Sequence, residues 1–282
     1  MAHLTQGTPA WFNARKGKLT ASNFGAAAGV NPYCSRKKQL KIALGEEKWK
    51  GDITACTWGT KNEKNAIKDY MVRTGNVVVS KGIYTHPDYE WLGGSPDGLV
   101  GDRGIIEVKC PFIVKKPHET IPPYYYCQIN GLMEIMDKDW CDYISWTPTA
   151  MKIYRVHRDR ELFNVLLEKY ATFYSYMKRG CSAIPNTSAV EKDEMLTAIA
   201  ESDKNTLYAY YRELEPACVK GEWNSPPPME TDSDDDDSDP SPLFQSSKRA
   251  REDGSSDVRQ LCRPACATAI DDTTGCNGVH GT

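Results

Sequence analysis

Asp97, Glu107 and Lys109 lie in the stretch GGSPDGLVGDRGIIEVKCP, residues 93–111, with the glutamate ten and the lysine twelve positions after the aspartate. In an extended chain alternate residues share a face. Glu107 and Lys109 therefore point one way together with Ile105, while Ile106 and Val108 point the other. Ser-Pro-Asp-Gly is a turn sequence, because proline presets φ and glycine takes the strained position. It leads into the short strand Asp97-Gly98-Leu99-Val100, and a hairpin at Gly101-Asp102-Arg103-Gly104 leads back. That hairpin brings Asp97 alongside Glu107. Two neighbouring carboxylates repel unless a cation sits between them, and Mg²⁺ is held in this way, by one or two carboxylates, water and phosphate oxygens. Such an ion polarises a phosphoryl oxygen and lowers the pKa of its water. A lysine nearby orients that water and offsets charge in the transition state. The trio suits metal-assisted phosphodiester hydrolysis. The same residues also read as a turn followed by an amphipathic strand.

The elements that must position these groups form an α/β pattern. Residues 8–17 and 20–29 read as short helices, the second with Thr20 as N-cap. Residues 35–45 read as a basic helix, and residues 57–75 as a longer one ended by Gly75. On the longer helix Glu63, Ile67, Tyr70 and Met71 share a stripe. A carboxylate on an apolar stripe calls for a partner or a metal ion. Strand-like pieces follow at 76–86, 97–101 and 104–109. A helix over 122–137 has Ile129, Leu132, Met133 and Met136 as its core stripe, with Gln128 at the stripe's edge. Strands at 141–148 and 151–158, a helix over 160–180 and helical segments within 187–215 complete the body. Helices around a central mixed β-sheet make an α/β domain, placed at residues 5–220.

Net charge over the 282 residues is −3, unevenly spread. From Ser225 onward twelve acids face five bases, a net of −7, which leaves +4 on the body. A mildly basic body allows nucleic acid as a partner. Lys16, Lys18, Arg36, Lys37, Lys38 and Lys41 could each reach a DNA backbone or belong to a solvated helix face. No stretch of eighteen apolar residues suggests a membrane span, and the N-terminal residues carry no secretory pattern, so the ten cysteines are expected as thiols.

Asp97, nine residues, then Glu107-Val108-Lys109 resembles the D…ExK core of the PD-(D/E)xK nuclease superfamily. The wider phrase GSPDGLV…GIIEVKCP resembles the YqaJ viral recombinase family of lambda exonuclease-like enzymes. WGTKNE, residues 58–63, resembles that family's W-G-x-x-x-E motif, whose acid, here Glu63, reaches the metal site. Residues 15–22, RKGKLTAS, resemble its R-x-G-x-x-T-A-S opening, in which an Arg and a Ser, here Arg15 and Ser22, hold a 5′-phosphate. Tyr125 and Gln128 match its Y-x-x-Q-x-Q helix, with Asn130 in place of the second glutamine. The likeness runs over residues 8–180, leaving 181–220 as a helical extension.

The resemblance implies a restriction-endonuclease-like fold and a Mg²⁺-dependent exonuclease, with Mn²⁺ able to substitute. It implies digestion of double-stranded DNA from a phosphorylated 5′ end, in recombination, repair or viral and mobile-element replication. Asp97, Glu107 and the Val108 carbonyl would bind metal, and Lys109, Glu63 and Gln128 would serve the chemistry. Lambda exonuclease-type enzymes also imply a ring-shaped homotrimer and a single-strand annealing protein as partner. A structure-specific endonuclease of the same superfamily and a non-catalytic DNA-binding protein on a nuclease fold are the competing readings.

Residues 221–282 read as a disordered tail, rich in Pro, Ser and Asp. Within it Lys248-Arg249-Ala250-Arg251 fits a short nuclear-import pattern. Cys262, Cys266, Cys276 and His280 have the spacing C-x3-C-x9-C-x3-H, which could hold Zn²⁺. The residues between them offer little apolar material to pack around an ion.

Overall fold

The computed structural model describes residues 8–48, 53–79, 82–113, 115–202 and 206–212. The Lys248–Arg251 segment, the rest of the 221–282 tail and the four residues Cys262, Cys266, Cys276 and His280 lie outside the described residues.

Helix α1 (Pro9–Arg15) starts on Thr8, whose side chain accepts from the Trp11 N–H, with proline at the first helical position. Strand β1 (Leu19–Thr20), a 3₁₀ turn over Ala21–Asn23 and helix α2 (Phe24–Ala27) follow. Thr20 was expected to cap a helix here. Its side chain makes no cap bond; its Oγ1 accepts from Arg15 instead. Helix α3 (Arg36–Ala43) is capped by Ser35. Helix α4 (Ile53–Thr74) ends at Gly75, whose φ of +72° supplies the left-handed residue that terminates it.

Short strands β2 (Val78–Val79), β3 (Tyr84–Thr85), β4 (Leu92–Gly94) and β5 (Gly98–Val100) precede β6 (Gly104–Lys109). Helix α5 (Pro123–Met136), the β7 (Trp140–Thr147) and β8 (Ala150–His157) hairpin, α6 (Arg160–Lys178), α7 (Ala189–Ser202) and β9 (Thr206–Arg212) follow among the described residues. A six-stranded mixed sheet runs β2-β5-β6-β7-β8-β9, and β1-β4-β3 forms a smaller sheet beside it. None of the described helices is long and apolar enough to cross a membrane.

The helical reading of 187–215 is half corrected. Residues 189–202 are helical, but 206–212 pair antiparallel with β8. That pairing adds a strand to an open sheet edge, with a register shift between Ile153 and Tyr154.

The central strands separate two cores. Ile105, Cys141, Tyr143, Tyr154 and Val156 face α5 and α6, packed with Ile129, Leu132, Met133 and Phe163. Ile106, Val108, Ile144, Trp146, Met151 and Ile153 face α4, packed on Ala66 and Tyr70. Full burial of each such side chain contributes about 1.5–3 kcal/mol. Helices α2 and α5 touch almost backbone to backbone. A Cβ on Gly25 would lie 2.5 Å from Tyr124 Cβ, and one on Gly131 would lie 2.3 Å from the Phe24 ring. This close contact fixes α5, and with it Tyr125 and Gln128, over β6.

Arg36 was counted among residues that could touch a DNA backbone. It is buried instead, and its Nε donates to the Ala27 carbonyl at 3.0 Å. The guanidinium ties α3 to the end of α2. Lys37 on the same helix remains exposed.

Candidate active site

The β5–β6 hairpin sets the geometry. Gly98 pairs with Ile106, Leu99 with Ile105 and Val100 with Gly104. Gly101 in the connection has φ +56°, a conformation that glycine adopts without strain. Continuing that register one step places Asp97 across from Glu107. The Asp97 N–H donates to the Ile106 carbonyl at 3.2 Å, and Asp97 Oδ2 accepts from the Val108 N–H at 2.7 Å. The backbone of β6 thus holds Asp97 in place. Val108, expected to offer its carbonyl to a metal, also anchors the aspartate through its N–H.

Glu107 is buried, with 2% of its surface exposed. Its Oε1 accepts from Lys109 Nζ at 2.6 Å and from Gln128 Nε2 at 2.7 Å. Its Oε2 is buried without a hydrogen-bond partner. An orphaned carboxylate oxygen inside a protein is costly, because its water has been removed and nothing replaces it. Lys109 Nζ also lies 4.6 Å from the centre of the Tyr125 ring, which adds a cation–π contact.

The charges here are crowded. Burial, then the neighbouring charges of Glu107 and Glu63, hold the Asp97 carboxyl well above the usual carboxylate range, against the opposing pull of Lys109. Burial and then Glu107 also raise Glu63, so α4 delivers its acid close to this spot. For Lys109 burial favours the neutral form, but Glu107, Tyr125 and Asp97 outweigh it and keep the ammonium charged. Cys110, next along the strand, is pushed up to about 12 by burial and by Glu63 and Asp97, which keeps it a thiol.

Among the described residues no three His, Cys, Asp or Glu side chains gather as a metal-ligand cluster. A hard cation such as Mg²⁺ does not need one, since it takes one or two carboxylates and fills its shell with water and phosphate. The pair Asp97 and Glu107, with an unpartnered Glu107 oxygen and a repulsion that Lys109 only partly offsets, fits such an ion.

Arg15 and Ser22 come together as well. Arg15 Nη2 donates to Thr20 Oγ1 at 3.0 Å and to Ser22 Oγ at 3.4 Å. Burial lowers the Arg15 pKa to about 10, still charged at neutral pH. Its guanidinium stacks on Trp11 at 4.4 Å, and Trp11 Nε1 donates to Ser95 Oγ at 3.0 Å, just before Asp97. Trp11 therefore ties the Arg15 cluster to the carboxylate turn. Its sequence signal was its position four residues before Arg15 on one helix, where i and i+4 side chains meet.

His118 also escaped sequence reasoning. It lies outside any regular element, where no periodicity marks it. Its Nδ1 is 2.7 Å from Tyr143 Oη and 3.1 Å from Ser145 Oγ. Burial and then the charge of Lys109 lower its pKa, so the imidazole is neutral at neutral pH.

Residues 10–139 match the family model of the YqaJ-like viral recombinase domain. Residues 10–139 are thus similar to that family's domain. The matched YqaJ-like region contains Arg15, Ser22, Glu63, Asp97, Glu107, Lys109 and Gln128. Among solved structures, the chain is similar to an alkaline exonuclease, LHK-Exo, from Laribacter hongkongensis. The identity is 26%, the TM-score is 0.51, and 69% of this chain and 99% of that one are covered. The same exonuclease in complex with dAMP matches equally. A phage related exonuclease from Haemophilus somnus 129PT matches at 18% identity and a TM-score of 0.47, over 63% of this chain and 95% of that one. None of the curated proteins compared with the chain is similar to it. The family match and the similarity to LHK-Exo support a nuclease.

Proposed function

We propose that the protein is a Mg²⁺-dependent exonuclease that degrades double-stranded DNA from a phosphorylated 5′ end, releasing mononucleotides. The observation that carries this reading is the buried, unpartnered Oε2 of Glu107 beside the raised carboxyl of Asp97, with the Lys109 ammonium 2.6 Å from the other Glu107 oxygen. Support also comes from the similarity to LHK-Exo, which has been solved with dAMP, a mononucleotide.

Asp97 and Glu107 would hold the divalent cation, which when bound would polarise the scissile phosphoryl group and activate a water. The remaining work falls to the chain's own residues. Gln128 and Lys109 fix the Glu107 carboxylate through Oε1, and Oε2 is the oxygen that would ligate the cation. The Lys109 ammonium, kept charged by its surroundings, offsets charge that builds on the phosphate in the transition state. Arg15, with Ser22 beside it, would take the terminal 5′-phosphate; a guanidinium fork can bind two of its oxygens. The link from Trp11 to Ser95 would set the distance between that phosphate and the scissile one. Such positioning is a large part of phosphoryl-transfer catalysis.

The test uses a linear duplex with a 5′-phosphate, incubated with the full chain in Mg²⁺ or in EDTA. Release of 5′-mononucleotides in Mg²⁺ alone, lost in Asp97→Asn, is the expected result. Cutting of a closed circle would instead assign an endonuclease. Tight duplex binding without cutting in either Mg²⁺ or Mn²⁺ would make the protein a DNA-binding relative.

A further inference from the structure

A series of aromatic rings leads from the catalytic lysine to the surface. Lys109 Nζ sits over Tyr125; the Tyr125 ring lies 4.2 Å from that of Tyr124; and the Tyr124 ring lies 5.9 Å from that of Tyr33, at an interplanar angle of 87°. Tyr125 and Tyr124 are partly buried against the core. Tyr33 is not: it is 78% exposed, a large aromatic ring that contributes little to the core.

Nor is Tyr33 held by chance. It lies in the loop between α2 and α3, and that loop is pinned. Asn31 Oδ1 accepts from the N–H of Tyr33 at 2.9 Å and from that of Cys34 at 3.2 Å. Asn31 N and Val30 N in turn both donate to the Gly25 carbonyl. One contact with Tyr124 orients the ring and leaves most of it open. Lys37 and Lys38 follow on α3, so positive charge lies close in sequence. A rigidly presented, exposed aromatic ring near cations is what stacks on a nucleobase while lysines track the backbone.

We infer that Tyr33 is a base-stacking platform on the surface beyond Tyr124 and Tyr125, holding a nucleobase of the DNA whose end lies in the nuclease site. This rests on the nuclease reading above and deepens it, because it names a group that positions the substrate through a base and not through a phosphate. Stacking on an aromatic face tolerates every base, so the platform would steady a DNA end of any sequence while the chain moves along.

The experiment uses the full chain as wild type, Tyr33→Ala and Tyr33→Phe. The probe is a 5′-phosphorylated duplex with 2-aminopurine at one of the first three 5′ positions in turn. In EDTA, binding by wild type and Tyr33→Phe is expected to change the 2-aminopurine fluorescence at one position, and Tyr33→Ala to lose that change. In Mg²⁺, Tyr33→Ala is expected to raise KM about 5- to 150-fold, the range for loss of one stacked base. Its kcat should fall by much less, and Tyr33→Phe should restore KM. A Tyr33→Ala protein with wild-type KM and wild-type fluorescence response overturns the proposal. So does a KM that Tyr33→Phe fails to restore, since the hydroxyl and not the ring would then matter. A position-specific fluorescence change that Tyr33→Ala loses, without any cutting by wild type, would uphold stacking and overturn the nuclease reading.

Discussion

Removing the charge of Lys109 should destabilise the domain through Glu107. The Glu107 side chain is 3% exposed and that of Lys109 22%, and their atoms meet at 2.6 Å. Breaking a buried pair from one side leaves an uncompensated charge, at a cost of about 3–5 kcal/mol. Gln128 keeps its 2.7 Å bond to Glu107 and softens the loss, so Lys109→Met should fall at the lower end, about 3 kcal/mol. In a domain of this size that lowers Tm by about 6–12 °C. The double variant Glu107→Gln/Lys109→Met removes both charges and should return to within about 1 kcal/mol of wild type, because neutral replacement of a buried pair is often nearly free. If Glu107 binds a divalent cation, added Mg²⁺ should shrink the deficit of the single variant, since the cation supplies the missing positive charge. The assay is urea unfolding of the three proteins, in EDTA and in Mg²⁺. A single variant that loses less than about 1 kcal/mol, or a double variant as unstable as the single, would show that Glu107 is not a buried charge that depends on Lys109.

Other consequences follow from the same geometry. Asp97 and Glu63 both have raised pKa values, so the metal-free protein holds their protons more tightly when folded than when unfolded. Stability is then full below the ordinary carboxylate range and falls as pH rises through the raised values; urea midpoints in EDTA should decline with pH in wild type and decline less in Asp97→Asn. Arg15→Ala should weaken use of a 5′-phosphorylated duplex about 10- to 100-fold in KM, the range for a charge-assisted bond, and leave a 5′-hydroxyl duplex nearly unaffected, as measured by initial rates on the two ends. Gly25→Ala should cost about 1–3 kcal/mol by overpacking against the Tyr124 backbone, and should lower kcat by shifting α5 and Gln128; thermal melts and rates check both.

Much of the site was legible because it is built on short-range rules. The period of two on β6 placed Glu107 and Lys109 on one face with Ile105, and the structure has Ile105 in the α5-side core and Ile106 and Val108 in the α4-side core. The turn and hairpin residues foretold that Asp97 would return to Glu107. Gln128 was placed at the edge of its helix stripe, and the structure has its amide donating to Glu107. What escaped depends on contacts distant in sequence. Arg36 looked like part of a solvated basic face, but the Ala27 carbonyl at the end of α2 claims its guanidinium. Thr20 had the residue type of a cap, but Arg15 claims its hydroxyl. Strand β9 exists because β8 offers an open edge, and its leucine and alanine are equally at home in a helix. The rings of Tyr33, Tyr124 and Tyr125 form a series only once α2, α3 and α5 are packed together.

Asp97, Glu107 and Lys109 are proposed to form a working hydrolytic site for DNA ends. Its most direct test is a linear duplex with 5′-phosphates and a distinct label at each end of one strand, given to wild type and to Glu107→Gln at equal occupancy, with Mg²⁺ or EDTA. The expected result is early release of the 5′ label as a mononucleotide, late release of the 3′ label, and no release by Glu107→Gln or in EDTA. Equal, Mg²⁺-independent release by both proteins, or no release by wild type at full occupancy, would contradict it.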